Sequence, residues 1–285
     1  MKDLIIGCVT GYNYDQIKPW VVSLNKSGFK GEKIMIVYNA SCDTCAQLEE
    51  DGFSIYGFNK NEISKDLVYG KNFGPQIVVT RFFHIWQLLK QLNEKDYRYV
   101  ITTDVKDVVF QSDPVLWLEK NLGDKRLNAA SESISYKNES WSNSNMKAAY
   151  GPFLYEFMSE NTIYNAGTIS GCFDCVRDLA LNVYLASKYG PVHNPDQSAY
   201  NIILNLEPYR SITKFTSADE GWACQAGTTV DPAKITKYRS LLNDREPLIK
   251  NGIVYTSDGL KYAIVHQYDR VPEWKTSILS RLNDL

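Results

Sequence analysis

No stretch of this chain approaches the roughly 20 consecutive apolar residues that cross a bilayer. The opening MKDLIIGCVTGYNYD has too short an apolar run for a secretory signal, and Asp3 interrupts its basic end. These two absences predict a cytoplasmic protein without a transmembrane segment. Basic excess is missing too: 31 Lys and Arg stand against 33 Asp and Glu, so the chain carries no electrostatic footprint for nucleic acid. Neither GxGxxG nor GxxxxGK[ST] occurs, which excludes the dinucleotide fingerprint and the P-loop phosphate cradle. Cysteine is scarce, at 6 residues. Two CxxC pairs, Cys42–Cys45 and Cys172–Cys175, stand too far apart for a zinc ribbon and lack a thioredoxin-like context, which predicts ordinary thiols.

What is present is a globular composition, 44% hydrophobic and 22% charged, with 19 Tyr, 11 Phe and 6 Trp. Such aromatics suit a large core or sugar-stacking surfaces. Strand Leu4–Val9, a turn at Thr10–Tyr14, helix Gln16–Lys26, strand Lys33–Tyr38, helix Thr44–Glu50 and strand Phe53–Tyr56 follow in order. This alternation predicts an α/β fold with a doubly wound, mostly parallel sheet and helices on both faces. Residues 57–75 read as a Gly-rich loop near the site, and Ile77–Leu92 as a strong helix carrying Arg81. Arg81 is either a phosphate-reaching cation or a surface charge, and His84 a packed or surface histidine rather than a ligand.

The centre of the chain is YRYVITTDVKDVVFQSDP, residues 97–114. Tyr99–Thr102 reads as a buried strand, and acidic side chains at the C-terminal end of such a strand sit where open α/β sheets bind ligands. Asp104 and Asp107 have only Lys106 between them as a counter-charge, so a divalent cation that also holds a diphosphate is the simple partner. The same residue types serve as loop solubilisers or helix caps, as Asp113 before Pro114 does.

Beyond it, Asn128–Ser131 reads as a short strand and Ser/Asn-rich residues 131–150 as a mobile excursion or lid. Tyr164–Gly171 is a strand whose small residues, Ala166 and Gly167, allow close backbone approach to a ligand. A helix spans Cys172–Lys188, and Asp196 reads as the cap of the helix Gln197–Leu204 or as a functional carboxylate. Asp258-Gly259 signals a hairpin-like turn, and Ala263–His266 a strand delivering an imidazole. A histidine completing an Asp/Asp set suits Mn²⁺ better than Ca²⁺.

The ordered set Asp104-Val105-Lys106-Asp107, Asn165-Ala166-Gly167, Asp196-Gln197 and His266 resembles the nucleotide-sugar glycosyltransferases of the glycosyltransferase-A fold. It is most similar to the glycogenin-like family 8, and also to small soluble glycosyltransferases of microbes and large algal viruses. The resemblance spans roughly Thr10 to Trp274 and implies a single domain over 1–285. Residues 1–115 would be the nucleotide-binding half and 116–285 the acceptor-binding half with the late metal ligand. It implies that Asp104, Asp107 and His266 hold Mn²⁺ or Mg²⁺ on the donor diphosphate, with Asp104 also contacting the donor. Thr10 and Tyr12 would line the base and ribose pocket, and Arg81 would reach the phosphates or donor sugar. Asn165, Ala166 and Gly167 would lie against sugar hydroxyls, with Gln197 and the catalytic carboxylate Asp196 beside the reacting sugar. The implied partners are a nucleotide-sugar donor, most simply a UDP-sugar, and a glycan or glycoprotein acceptor. Two departures stand out: the spacing is Asp-x-x-Asp where the family has Asp-x-Asp, and the His266 segment lacks the family's Gly and Lys-Pro. Arg270 or Lys275 are then the diphosphate cations, and Asp219 and Glu220 alternative carboxylates. A nucleotidyltransferase and a non-catalytic carbohydrate-binding protein are the competing classes. The first usually has a basic Gly-rich loop after its first strand, and Gly11-Tyr12-Asn13-Tyr14 has no basic residue.

Overall fold

The computed structural model describes residues 1–58, 77–188 and 190–284. All but the start of the loop expected over 57–75 lies outside them. The first half of the chain forms strands β1 (Lys2–Thr10), β2 (Glu32–Tyr38), β3 (Ser54–Phe58), β4 (Tyr97–Thr103) and β5 (Val108–Phe110). The second half adds β6 (Leu127–Ser135), β7 (Thr162–Cys172), β8 (Thr213–Thr216) and β9 (Ala223–Gln225). β10 (Leu248–Lys250), β11 (Ile253–Tyr255) and β12 (Ile264–His266) complete the set. The longer helices are α1 (Tyr14–Lys26), α2 (Cys42–Glu50), α3 (Ile77–Gln91), α4 (Pro114–Asn121), α5 (Ser140–Met158), α6 (Phe173–Ser187), α7 (Asp196–Leu204) and the C-terminal helix Pro272–Asp284.

Seven strands make the central sheet in the order β3-β2-β1-β4-β7-β6-β8. Only β7 runs against its neighbours, so the sheet is mixed but mostly parallel. Alternate residues of β1 explain why both faces are covered. Leu4 and Ile6 enter a core with Phe82, Leu88, Val176 and Leu179 of α3 and α6. Ile5 and Val9 point the other way, among Ile17, Trp20 and Leu24 of α1 and Leu118 of α4. The α/β sandwich expected from the strand–helix alternation is therefore the one observed. No helix among the described residues is long and apolar enough to cross a membrane.

Local signals account for the boundaries. α1 begins in a capping box, where the Asn13 side chain accepts from the Gln16 amide and the Gln16 side chain accepts from the Asn13 amide. β12 lies between β5 and β9 in a second, three-stranded sheet, which carries the C-terminal part of the chain back to the end of β4.

One expectation fails. Residues 131–150 are no surface excursion: β6 runs on to Ser135 with every residue buried, and α5 begins at Ser140. Asp258-Gly259 turns the chain as expected, with an antiparallel bridge between Tyr255 and Lys261 and a Thr256 amide bond to Leu260 O across the turn. The longer hairpin, β10–β11, turns at Asn251-Gly252, both with positive φ (52° and 69°).

Candidate functional site

The acidic loop 104–107 is fixed at both ends by α1. The Trp20 indole Nε1 donates to Thr103 Oγ1 at 2.9 Å, and the Ser23 hydroxyl accepts from the Phe110 amide at 3.0 Å. Val105 crosses so close to β1 that a Cβ on Gly7 would stand 2.7 Å from Val105 Cγ2. On the other side the Asp104 amide donates to Gly167 O at 2.9 Å, continuing the β4–β7 ladder past Thr103. Asp107 is fixed by β12: His266 pairs with Val108, and the Gln267 amide donates to Asp107 O at 2.7 Å.

Asp104, Asp107 and His266 thus converge, each offering a ligand atom within 4.8 Å of the others. His266 Nε2 lies 3.4 Å from Asp104 Oδ2 and 3.7 Å from Asp107 Oδ1, and this buried nitrogen has no hydrogen-bond partner. The longer Asp-x-x-Asp spacing does not separate the carboxylates. His266 is 2% exposed, and its other nitrogen, Nδ1, meets Gln225 Oε1 at 2.7 Å. Gln225 Nε2 donates to Thr168 Oγ1, so its oxygen faces the imidazole and assigns the proton to Nδ1. The Nε2 lone pair is left aimed at the carboxylates, the arrangement a metal-binding imidazole needs. Burial pulls the His266 pKa down, but Asp104 and Asp107 outweigh it and raise it. Burial and the like charges of Asp104 and Asp269 push Asp107 up, against His266 and Arg270.

Arg81 is no surface charge: its side chain is 13% exposed, it bridges two carboxylates, and it lines the cavity. Nη1 pairs with Asp104 Oδ1, and Nη2 stands 3.4 Å from both Asp196 Oδ2 and Ala166 O. Burial alone would raise the Asp104 pKa, but Arg81 and His266 hold it well below the usual carboxylate range. Asp104 Oδ1 is taken by Arg81 while Oδ2 faces His266, so one carboxylate can serve an ion pair and a cation together.

Asp196 is not the cap of α7. Pro195 occupies the N-cap position, Asp196 is the first helical residue, and its carboxylate faces Arg81. Burial raises its pKa to about 6, opposed by Arg81 and reinforced by Asp104. Gln197 and Asn165 converge on a residue absent from the sequence reading, Glu132 of β6. Asn165 Nδ2 and Gln197 Nε2 both donate to Glu132 Oε1, at 2.7 and 3.0 Å. Asn165 Oδ1 also accepts from the Gly167 amide. Gly167 itself is required: a Cβ there would stand 2.6 Å from Asp104 Oδ2 and 2.8 Å from His266 Cε1.

Arg81, Asp104, Glu132, Asn165, Asp196 and His266 face one cavity of about 380 Å³, which Arg270 and the half-exposed Trp141 also line. Thr10 and Tyr12 do not line it. Thr10 is exposed at the end of β1, and the Tyr12 ring lies 5.9 Å from the Lys106 ammonium above the acidic loop. Asp219 and Glu220 are also elsewhere. Glu220 completes a capping box with Ser217 and pairs with Lys214, and Asp219 meets Ser257. His84 is the packed histidine expected, stacked on Phe58 and bonded to the Tyr38 hydroxyl. The cysteines are free thiols, and among the described residues neither CxxC pair joins a metal-competent group.

Neither Glu132 nor Gln225 has a motif around it. Glu132 sits in a run that reads as loop, Gln225 in one with no signal at all, and only the fold shows what each touches. No family model matches this chain, and no curated protein matches it either.

Proposed function

We propose that this chain is a metal-dependent glycosyltransferase that moves a sugar from a nucleoside diphosphate donor, a UDP-sugar first among them, to a hydroxyl of a glycan or glycoprotein. The observation that carries the reading is the Asp104–Asp107–His266 set. Two carboxylates and an imidazole with an unpartnered, buried Nε2 meet at the C-terminal end of a central strand. Mixed oxygen and imidazole donors fit Mn²⁺, or Mg²⁺ with more water retained.

A cation bound there would offset the charge that builds on the departing diphosphate. The chain's own residues do the rest. Gln225 holds the His266 ring in its tautomer, and Arg81 keeps Asp104 ionised and turned toward the site. Gly167, without a Cβ, lets Asp104 and His266 close in on the strand that carries Asn165. Arg270, at the cavity wall, adds positive charge where the diphosphate would lie. Residues from both sides of position 115 line the cavity, which accords with a donor half and an acceptor half in one domain.

A thermal-shift screen of nucleotide sugars with and without Mn²⁺ tests this. Binding at a hundredfold excess over Kd stabilises by about 2.7 kcal/mol. The shift is expected only with nucleotide and metal together, and to disappear in Asp107→Asn and His266→Ala. A nucleotide shift unchanged by EDTA, or kept by both variants, would overturn the metal assignment. Product analysis separates the classes: a nucleotidyltransferase would release pyrophosphate, and a binding module no product.

A further inference from the structure

The β6–β7 register shifts twice, between Ala129 and Ser131 and between Ser131 and Ser135. Within this irregular stretch Ser133 takes a left-handed backbone, φ 59°. Bulges of this kind re-aim side chains, and here Glu132 is turned into the cavity while only 6% exposed. Three neutral groups hold it: Asn165 Nδ2 and Gln197 Nε2 on Oε1, and the Thr228 hydroxyl on Oε2 at 2.9 Å. A carboxylate has about four acceptor positions, so one on Oε2 is left for a ligand.

Two other carboxylates of the cavity already have a cation: Asp104 and Asp196 share Arg81. Glu139 rests on neutral donors too, the Ser142 amide and the Tyr238 hydroxyl, but it caps α5 and feels the Lys234 charge, while Asp231 accepts from the Ala233 amide. Among the described residues Glu132 has no ion pair. Holding a buried carboxylate on neutral donors alone is costly unless positive charge arrives. In glycosyl transfer positive charge does arrive, on the ring oxygen and anomeric carbon of the sugar.

Resting on the glycosyltransferase reading, we infer that Glu132 is the carboxylate that stabilises the developing sugar cation, with Asp196 serving to hold Arg81. The bond from the anomeric carbon to the diphosphate oxygen breaks with its electron pair on the oxygen. The acceptor oxygen bonds to that carbon, and its proton passes to the departing diphosphate. Glu132 neither gains nor loses an atom, and its charge matters only while the carbon is electron-poor.

Glu132→Gln keeps the volume and an amide oxygen for Asn165 and Gln197 but removes the charge. Transfer is expected to fall by ~100-fold or more. Slow hydrolysis of the donor without acceptor should fall by the same factor, because the cation forms in both reactions. Calorimetric affinity for UDP with Mn²⁺ should stay within about threefold of wild type, and Tm should hold or rise, as removing a buried charge allows. Glu132→Asp, which keeps the charge, should retain at least about tenfold more turnover than Glu132→Gln. Equal losses in the two variants, a parallel loss of UDP affinity, or hydrolysis unchanged while transfer falls would each overturn the assignment. Failure of the underlying reading looks different: wild-type protein then turns over no nucleotide sugar with any acceptor, and the role given to Glu132 falls with it.

Discussion

β1 and β6 are each nine residues long, lie in one sheet and are both largely buried, yet their chemistry is opposite. β1 buries Leu4, Ile5 and Ile6 completely and draws its stability from apolar area, about 1.5–3 kcal/mol per side chain. β6 buries Asn128, Ser131, Glu132, Ser133 and Ser135. Such a strand persists only because partners meet its polar groups. Asn128 bonds to Ser170 and Thr216, Glu132 to its three donors, and the Ser133 hydroxyl to Asp244; Ser135 Oγ alone goes unmet. One strand carries the scaffold and the other carries the site. Damage to the first should appear in stability, and damage to the second in turnover.

The sharpest way to break this contrast is Ile5→Ala. A fully buried isoleucine cut to alanine costs ~2–5 kcal/mol, read by urea unfolding, while turnover per folded molecule should stay within a few-fold. Loss of turnover at full folding would mean that β1 shapes the site and that the division fails.

Next comes Asp196, a buried carboxylate that shares a cation where Glu132 shares none. Its pKa rises from 3.8 in the unfolded chain to about 6 in the fold. Below pH ~4 it is protonated in both states. As pH rises toward 6 only the unfolded state releases its proton, so the metal-free wild type loses about 3 kcal/mol relative to a residue that does not titrate. Metal-free Asp196→Asn should therefore gain on wild type in Tm between pH 4 and 6, with the gap constant above. A gap that is flat across that window would show that Arg81 already neutralises Asp196 fully.

The smallest effect belongs to Ser133→Gly. Relief of the left-handed backbone, about 1–2 kcal/mol, is offset by loss of the hydroxyl bond to the Asp244 carboxylate, about 1.5–3 kcal/mol. Stability should move by less than about 1 kcal/mol. A change well beyond that would place real scaffold energy in β6 and blur the comparison.

The same contrast explains what the sequence disclosed. Leu4–Val9 and Tyr99–Thr102 are legible because an apolar β-prone run is its own explanation for burial. Asp104, Asp107 and His266 are legible because their ligand chemistry is carried by residue type. β6 is legible only in part: Asn128–Ser131 reads as a strand, but Glu132 and Ser133 look like loop until Asn165, Gln197, Thr228 and Asp244, all distant in sequence, supply their bonds. Arg81 could be seen as a cation, but its partners Asp104 and Asp196 could not. Asp196 was open to misreading as a cap because Asp before a helix so often is one, and Pro195 takes that place here. The Asn251-Gly252 turn is missing from the sequence reading although the dipeptide is of the strongest hairpin type and needs no tertiary information.

β12 has a consequence for the order in which the molecule is made. Chains leave the ribosome N-terminus first, and the last strand of the seven-stranded sheet, β8, has emerged by Thr216. Asp104 and Asp107 have emerged by then, but Asp107 gains its backbone anchor, and His266 arrives, only when β12 inserts between β5 and β9. A nascent or truncated chain ending before Ala263 keeps the strands of the main sheet and both carboxylates, and lacks the imidazole. On the metal proposal, competence for the cation would therefore be conferred late in synthesis, by a three-residue strand.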